Sequence, residues 1–315
     1  MLMGEGSPVL RRYVATSPVS LGVTRATIGV VPDLLEGVRF LDEARDAGYD
    51  GVQLGEDAYL GVGVDLAGRL IDRGLGVCGA SLDVAVTGPE VLRGARRVID
   101  GVLDTLDVLR GRLPGPAPHV VLGDAGDPWR RANPGVAHLA SDTRGPESDD
   151  RKSFHEGVRA VVTYCREREF DVLLRPRVGS LVEAPREIDA VLIETDIGLC
   201  LDTGQILLGG GDPVAVLREW GTRVGLVYLK DANLARMRDV IDLDEPSISV
   251  WSHEVVGRLG DGDVDLVGVL QQLEAIDYPG WIVVEQDVNP QRGGWLARAL
   301  DDQRRNREFL HRQGI

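Results

Sequence analysis

Arg175, Arg177, Asp202, Gln205, Tyr228, Lys230, Asp231, Glu285 and Asp287 lie at or just beyond the ends of four short apolar runs, residues 170–175, 197–201, 223–229 and 281–284. Such a density of carboxylate, ammonium and guanidinium groups at strand ends is the equipment of acid–base chemistry. Glu285 is the expected base or acid, because a partly desolvated carboxylate crowded by Asp202 would have a raised pKa. Lys230 is the expected electrophile or proton donor with Asp231 as its orienting partner; the competing reading of that pair is a surface ion pair. The two arginines cannot ligate a cation, since a guanidinium stays protonated and has no lone pair to offer.

The elements that must position these residues alternate along the chain. Residues 19–23 read as a first strand and 33–47 as the helix after it, with Leu34, Leu35, Val38, Leu41 and Ala44 at helical spacing before Gly48. Further strands are expected at 51–54, 75–80, 119–122, 171–174, 197–201, 224–229 and 281–284. Helices are expected at 64–72, 89–110, 151–168, 185–194, 213–220, 264–276 and 298–312. Eight short strands, each followed by a helix and apolar on both faces, predict an α/β fold, a single (β/α)8 TIM barrel over 1–315, with 1–18 as an N-terminal extension. An open doubly wound sheet is disfavoured because no Gly-rich phosphate turn follows the first strand.

Two strand-to-helix connections, 123–150 and 231–263, are far longer than the usual 2–6 residues or so and fall on the catalytic face. Long loops there often act as lids. Trp251 and His253 lie in the second; Trp251 could cover an apolar sugar face and His253 could swing in as acid, base or ligand. Glu56 and Asp57 follow the second strand and could bind sugar hydroxyls. Asp261 and Asp263 read as turn and helix-cap residues, and Asp212 as a cap ahead of Pro213.

Composition bounds the partners. The chain has 35 Lys+Arg against 50 Asp+Glu, a net charge of −15, so it has no counterion-release drive for nucleic acid. Cys78, Cys165 and Cys200 have no metal-binding or disulfide spacing and are expected to be reduced core thiols. No apolar run approaches the ~18 residues needed to cross a bilayer, and residues 1–17 lack an apolar signal segment, so the expectation is a cytoplasmic protein with no membrane partner. The other His residues offer little to a site: His119 begins a strand at the stability face, His155 is on a helix and His311 is near the end, which leaves only His138 and His253 on catalytic-side loops.

Several segments in order carry a family resemblance: Ala47-Gly48-Tyr49-Asp50-Gly51-Val52-Gln53-Leu54-Gly55, Gly179-Ser180-Leu181-Val182-Glu183, Leu201-Asp202-Thr203-Gly204-Gln205, Tyr228-Leu229-Lys230-Asp231, Leu259-Gly260-Asp261-Gly262-Asp263 and Tyr278-Pro279-Gly280-Trp281-Ile282-Val283-Val284-Glu285. From Gly48 onward the chain resembles the xylose-isomerase-like barrel superfamily of sugar isomerases and epimerases, and within it the inosose dehydratases most closely. The resemblance implies a divalent metal (Mn, Mg or Co) at the barrel mouth, held by an acid or His after the fifth strand, Asp after the sixth, His on the seventh and Glu after the eighth. Asp202 and Glu285 match. The fifth-strand His-Pro-His is Arg175-Pro176-Arg177 here, the seventh-strand His is Tyr228, and the His three residues past the sixth-strand Asp is Gln205. Glu183 stands where relatives keep a Glu.

With those ligands replaced, the expectation is no metal cofactor; if one binds, Asp202 and Glu285 are its ligands. Arg175 or Arg177 would then supply a fixed positive charge paired with Asp202 and Glu285, or the arginines would only neutralise a buried polar layer. Glu56, Glu183, Gln205, Tyr228, Asp231, Trp251 and His253 are the expected substrate-binding set. The resemblance implies removal of a proton next to a carbonyl, most like an inosose-type dehydratase, a lyase acting on a small sugar or cyclitol. An isomerase or epimerase of the same superfamily, working without a metal, and a non-catalytic sugar- or protein-binding descendant are the alternatives. Barrels of this kind commonly associate, which leaves a homo-oligomer open.

Overall fold

The computed structural model describes residues 12–315 apart from 57, 89, 139–150 and 292. Asp57, Pro89, residues 1–11 of the expected extension and much of the first long connection therefore lie outside the described residues. Eight parallel strands close a barrel: β1 (Tyr13–Thr16), β2 (Gly51–Leu54), β3 (Gly76–Val84), β4 (His119–Asp124), β5 (Val172–Leu174), β6 (Gly198–Asp202), β7 (Val224–Leu229) and β10 (Trp281–Val284). Each pairs with its sequence neighbours, and β10 closes the ring between β7 and β1. The remaining two strands, β8 (Asp231–Ala232) and β9 (Val256–Gly257), form a small antiparallel pair beyond the barrel mouth.

The first strand is not where the hydrophobic pattern suggests. Residues 19–23 belong to a 3-10 turn, Pro18–Leu21, and to the bend after it, whereas Tyr13–Thr16, within the expected extension, is β1. Pro18 supplies the fixed φ of a first helical position, and the Ser17 hydroxyl accepts from Val19 N. An apolar run that starts on such a cap turns instead of extending.

The helices are α1 (Gly37–Asp46), α2 (Gly63–Ile71), α3 (Val91–Leu109), α4 (Pro128–Ala132), α5 (Arg151–Arg166), α6 (Pro185–Glu194), α7 (Thr203–Leu208), α8 (Pro213–Trp220), α9 (Leu234–Asp242), α10 (Ser249–Ser252), α11 (Leu266–Ala275) and α12 (Trp295–Arg312). The expected helices are present, those at 185–194 and 213–220 with their expected bounds and the others with shifted ends; α4, α7, α9 and α10 are additions within connections on the catalytic side. Asp212 caps α8 as its sequence suggests, its Oδ1 accepting from Val214 N at 2.9 Å. The cap of α11 is Asp265, accepting from Gly268 N at 2.9 Å. Asp263 instead accepts from Leu234 N, and Asp261 pairs with Arg258.

Two cores result. The larger lies between strands and helices, and the smaller fills the barrel with Ala15, Cys78, Val121, Leu173, Cys200, Leu226, Tyr228, Trp281 and Val283. All three cysteines are free and buried. Trp281 plugs the lower end: its indole Nε1 donates to Pro116 O at 3.0 Å, and a Cβ at Gly115 would approach the ring to 2.2 Å. Side chains alternate between faces along a strand. Leu173, Cys200, Tyr228 and Val283 point inward, so Arg175, Asp202, Lys230 and Glu285, each two residues later, emerge over the same lumen.

Candidate active site

The ladder still holds the chain where the functional residues begin. Arg175 N donates to Leu122 O at 2.9 Å and Glu285 N to Leu229 O at 3.2 Å, so both side chains start from fixed backbone. Asp202 ends β6 and caps α7, its Oδ1 accepting from Gln205 N at 3.1 Å. That leaves Oδ2 for the lumen.

Arg175 occupies the centre. Its Nη2 lies 2.6 Å from Asp202 Oδ2 and 2.6 Å from Glu285 Oε1, and its Nε donates to Asp202 Oδ2 at 3.1 Å. Tyr228 lies beneath, with Arg175 Cζ 3.9 Å from the ring centroid. Lys230 Nζ lies 2.9 Å from Glu285 Oε1 and donates to Asp287 Oδ1 at 2.7 Å. Two cations and three carboxylates thus form one buried network at the top of the barrel, the acids and Lys230 at no more than 8% exposure.

Charge within this network is set by the contest between desolvation and pairing. Burial disfavours ionised Glu285, but Arg175 and Lys230 outweigh it and hold the carboxyl well below the usual range. The raised pKa expected from crowding by Asp202 is therefore reversed, because two cations pair with the carboxylate, at 2.6 and 2.9 Å. Burial disfavours charge on Lys230 and Arg175 as well, and the surrounding carboxylates overcome it and raise both. Asp287 goes the other way: its burial outweighs Lys230, and its carboxyl is raised.

A cavity of about 760 Å³ opens above the network and is lined by Arg175, Arg177, Gln205, Lys230, Glu285 and Asp287 among others. Trp251, from α10, and Glu56 also line it. Gln205 is fixed there, its Oε1 accepting from Val178 N at 2.8 Å. Glu56 is paired with Arg25 at 3.0 Å. Arg177 does not join Asp202 and Glu285; it pairs with Asp83 at 2.8 Å and donates to Asp124 O at 3.0 Å.

Four expected binding residues do other work. Asp231 faces away from Lys230, as strand alternation requires of its neighbour, and accepts from Gly260 N, Gly262 N and Val264 N at 2.8, 2.9 and 3.1 Å. Glu183 is wholly buried and accepts from Gly179 N and Ala137 N. Tyr228 is buried under Arg175, its hydroxyl without a hydrogen bond among the described residues. His253 pairs with Glu245 at 2.9 Å and is not among the lining residues.

Sequence reasoning missed the roles of Asp287, Asp83 and Gln53, whose Nε2 donates to Ser81 Oγ at 2.6 Å on the cavity wall. For Asp287 the signal was available: it stands two residues past Glu285 and so on the same face of the extended chain. Gln53 and Asp83 come from strands of the first half of the barrel, where only Glu56 and Asp57 stood out.

The surviving carboxylates do not suit a divalent cation. Asp202 Oδ2 and Glu285 Oε1 are both turned to Arg175, and a guanidinium sits where a ligand would be required. Among the described residues no group of three His, Cys, Asp or Glu side chains could hold a metal ion.

Residues 41–310 match the model of a family described as xylose isomerase-like TIM barrel. The chain belongs to that family. Within the xylose isomerase-like barrels, it is 32% identical over 146 residues to an inosose dehydratase of Geobacillus kaustophilus (strain HTA426), covering 44% of this chain and 46% of that one. It is 25% identical over 310 residues to the rhizopine catabolism protein MocC of Rhizobium meliloti, covering 95% and 90%. The chain thus spans about half the length of the inosose dehydratases it matches. Among solved structures it is similar to the probable 3-DHS dehydratase AsbF of Bacillus anthracis, with TM-score 0.67 and 13% identity over 96% of this chain and 99% of that one. An L-ribulose 3-epimerase aligns with TM-score 0.65 and 17% identity over 96% and 94%. At such identities these two barrels share the fold alone. No helix among the described residues is long and apolar enough to cross a membrane.

Proposed function

We propose that this barrel removes a proton next to the carbonyl of a keto-cyclitol or keto-sugar and expels a hydroxyl as water, as an inosose-type dehydratase does, with Arg175 in place of a divalent metal. The observation that carries this reading is the Arg175 guanidinium bridging Asp202 and Glu285 at 2.6 Å to each, over a barrel cavity. A fixed cation in a site shielded from water stabilises a developing enolate oxygen without having to reorganise. Arg175 Nε and Nη2 serve the carboxylates, and Nη1, which makes no hydrogen bond among the described residues, is the donor assigned to that oxygen.

Glu285 is the base in this scheme. Held ionised by Arg175 and Lys230, it is a weak base until substrate arrives; once a carbonyl oxygen shares those two cations, its proton affinity rises. Its Oε2 is buried without a hydrogen bond among the described residues, and the Ser17 hydroxyl also helps to lower its pKa. The base takes the carbon-bound proton and the C–H electron pair is delocalised onto the carbonyl oxygen as an enolate; as the carbonyl reforms, a C=C bond forms to the next carbon, its C–O bond breaks, and Lys230 protonates the departing hydroxyl, which leaves as water. Asp287 keeps Lys230 in place. Reprotonation of the intermediate instead of hydroxyl loss would make the same residues an isomerase or epimerase. Three free, buried cysteines fit a reducing cytoplasmic setting.

The test is proton exchange in D₂O, followed by NMR, on a panel of keto-inositols, ketoses and their phosphates with EDTA or added Mn²⁺. The expected result is exchange and formation of an absorbing enone in EDTA. Strict dependence on Mn²⁺, or a stoichiometric tightly bound ion in the purified protein, overturns the Arg175 reading. Absence of exchange with every compound overturns catalysis.

A further inference from the structure

The cavity does not end at the strand tips. It continues outward between the segment holding Leu60, Val62 and Leu66 and the face of α3 that carries Val98, Gly101 and Val102. Apart from Arg97 and Thr105 on that helix, the residues of this outer arm are apolar, in contrast to the charged floor formed by Arg175, Lys230 and Glu285. Val62 and Val98 remain 61% and 49% exposed there, although most valines of the chain are buried. Gly101 stands in the middle of the 19-residue α3, where glycine is destabilising relative to alanine. Packing does not demand it: a Cβ at Gly101 would meet nothing within 4 Å. Its effect is to leave a gap on that side of the groove between Arg97 and Thr105.

Size points the same way. Pockets of roughly 300–1,000 Å³ accommodate ligands of drug size, and at about 760 Å³ this one is larger than a bare six-carbon ring needs. We propose that the substrate is a keto-sugar or keto-cyclitol bearing an apolar substituent, with the ring over Arg175 and Lys230 and the substituent between α2 and α3. The proposal rests on the functional reading above for the ring, and on the outer groove alone for the substituent.

Calorimetric dissociation constants separate the two. The probes are inosose and its mono-O-benzyl ether, and 3-keto-glucose and phenyl 3-keto-β-glucoside. In at least one pair the substituted compound is expected to bind at least tenfold more tightly than its parent. Gly101→Phe, which grows a ring into the groove from a position with free space, is expected to reduce that ratio to near one. Gly94→Phe, on the same helix, also with free space but away from the cavity, is expected to leave the ratio unchanged. Equal affinities within both pairs, a ratio unmoved by Gly101→Phe, or no binding at all overturns the proposal. A binding preference without proton exchange would instead overturn the catalytic reading and leave this one standing.

Discussion

Arg175 sits over the ring of Tyr228, with its Cζ 3.9 Å from the ring centroid. The two residues stand at positions where relatives are expected to place His, and the contact makes them one unit. A guanidinium is attracted by the face of an aromatic ring and is more weakly hydrated than an ammonium, so it tolerates this buried layer. Tyr228 offers no imidazole nitrogen to a metal, but its ring supports the Arg175 guanidinium.

Arg175→Glu should turn the network into a metal site. It adds a third carboxylate beside Asp202 and Glu285 and removes the charge that balances them. Breaking a buried pair in this way costs about 3–5 kcal/mol. In EDTA the variant's thermal midpoint is expected to fall, and millimolar Mn²⁺ to restore much of the loss, since an ion that binds only the folded state stabilises it. Scanning calorimetry checks this. An equal Mn²⁺ shift in the unaltered protein would contradict the account.

Glu285→Gln keeps the size of the side chain and removes its basicity. Proton exchange is expected to drop by about 10²–10⁴-fold. Far-ultraviolet circular dichroism should remain that of the folded barrel. Retained exchange would move the base elsewhere, with Asp287 the first residue to examine.

Asp231→Ala separates a structural role from a binding one. The carboxylate gathers three backbone N–H groups of residues 260–264, and a hydrogen bond to a charged group contributes about 1.5–3 kcal/mol. A loss of about 3 kcal/mol is expected by urea denaturation, together with faster hydrogen exchange confined to this loop. A change in substrate affinity with stability and exchange intact would return Asp231 to the binding set.

Acid should weaken the fold through histidine. Burial lowers His119, opposed by Asp171, and lowers His155, opposed by Glu194 and reinforced by Arg159 and Arg151. Because the folded-state values are depressed, the unfolded chain takes up protons first. This part of the stability is present above the unfolded value of about 6.5 and is lost as pH falls below it. Urea midpoints measured from pH 7.5 to 5 are expected to decline less steeply in His119→Asn/His155→Asn than in the unaltered chain. Parallel curves would exclude these two groups.

How far the sequence could be read differs from element to element. Residues 51–54, 185–194, 213–220 and 281–284 were legible with their boundaries, because apolar runs and Pro or Gly punctuation coincide there. The first strand was not: Tyr13–Thr16 is short, and the more apolar 19–23 competes with it until Ser17 and Pro18 are seen to start a turn. The site followed the same rule. Arg175, Asp202, Lys230 and Glu285 could be placed at strand ends from the pattern alone, and the structure brings them within ion-pair distance.

By itself the sequence determined the barrel, the mouth at which the charged residues gather and the presence there of arginines, which have no lone pair to offer, since these depend on local periodicity and on what each side chain can do. Which arginine meets the acids, which acid holds Lys230, and whether Glu285 is raised or lowered were decided only by the tertiary structure. Those are matters of distance between residues as far apart in sequence as Arg175 and Glu285. At a separation of 2.6 Å in a buried layer, pairing outweighs the cost of desolvation, and the order of the chain carries no record of that balance.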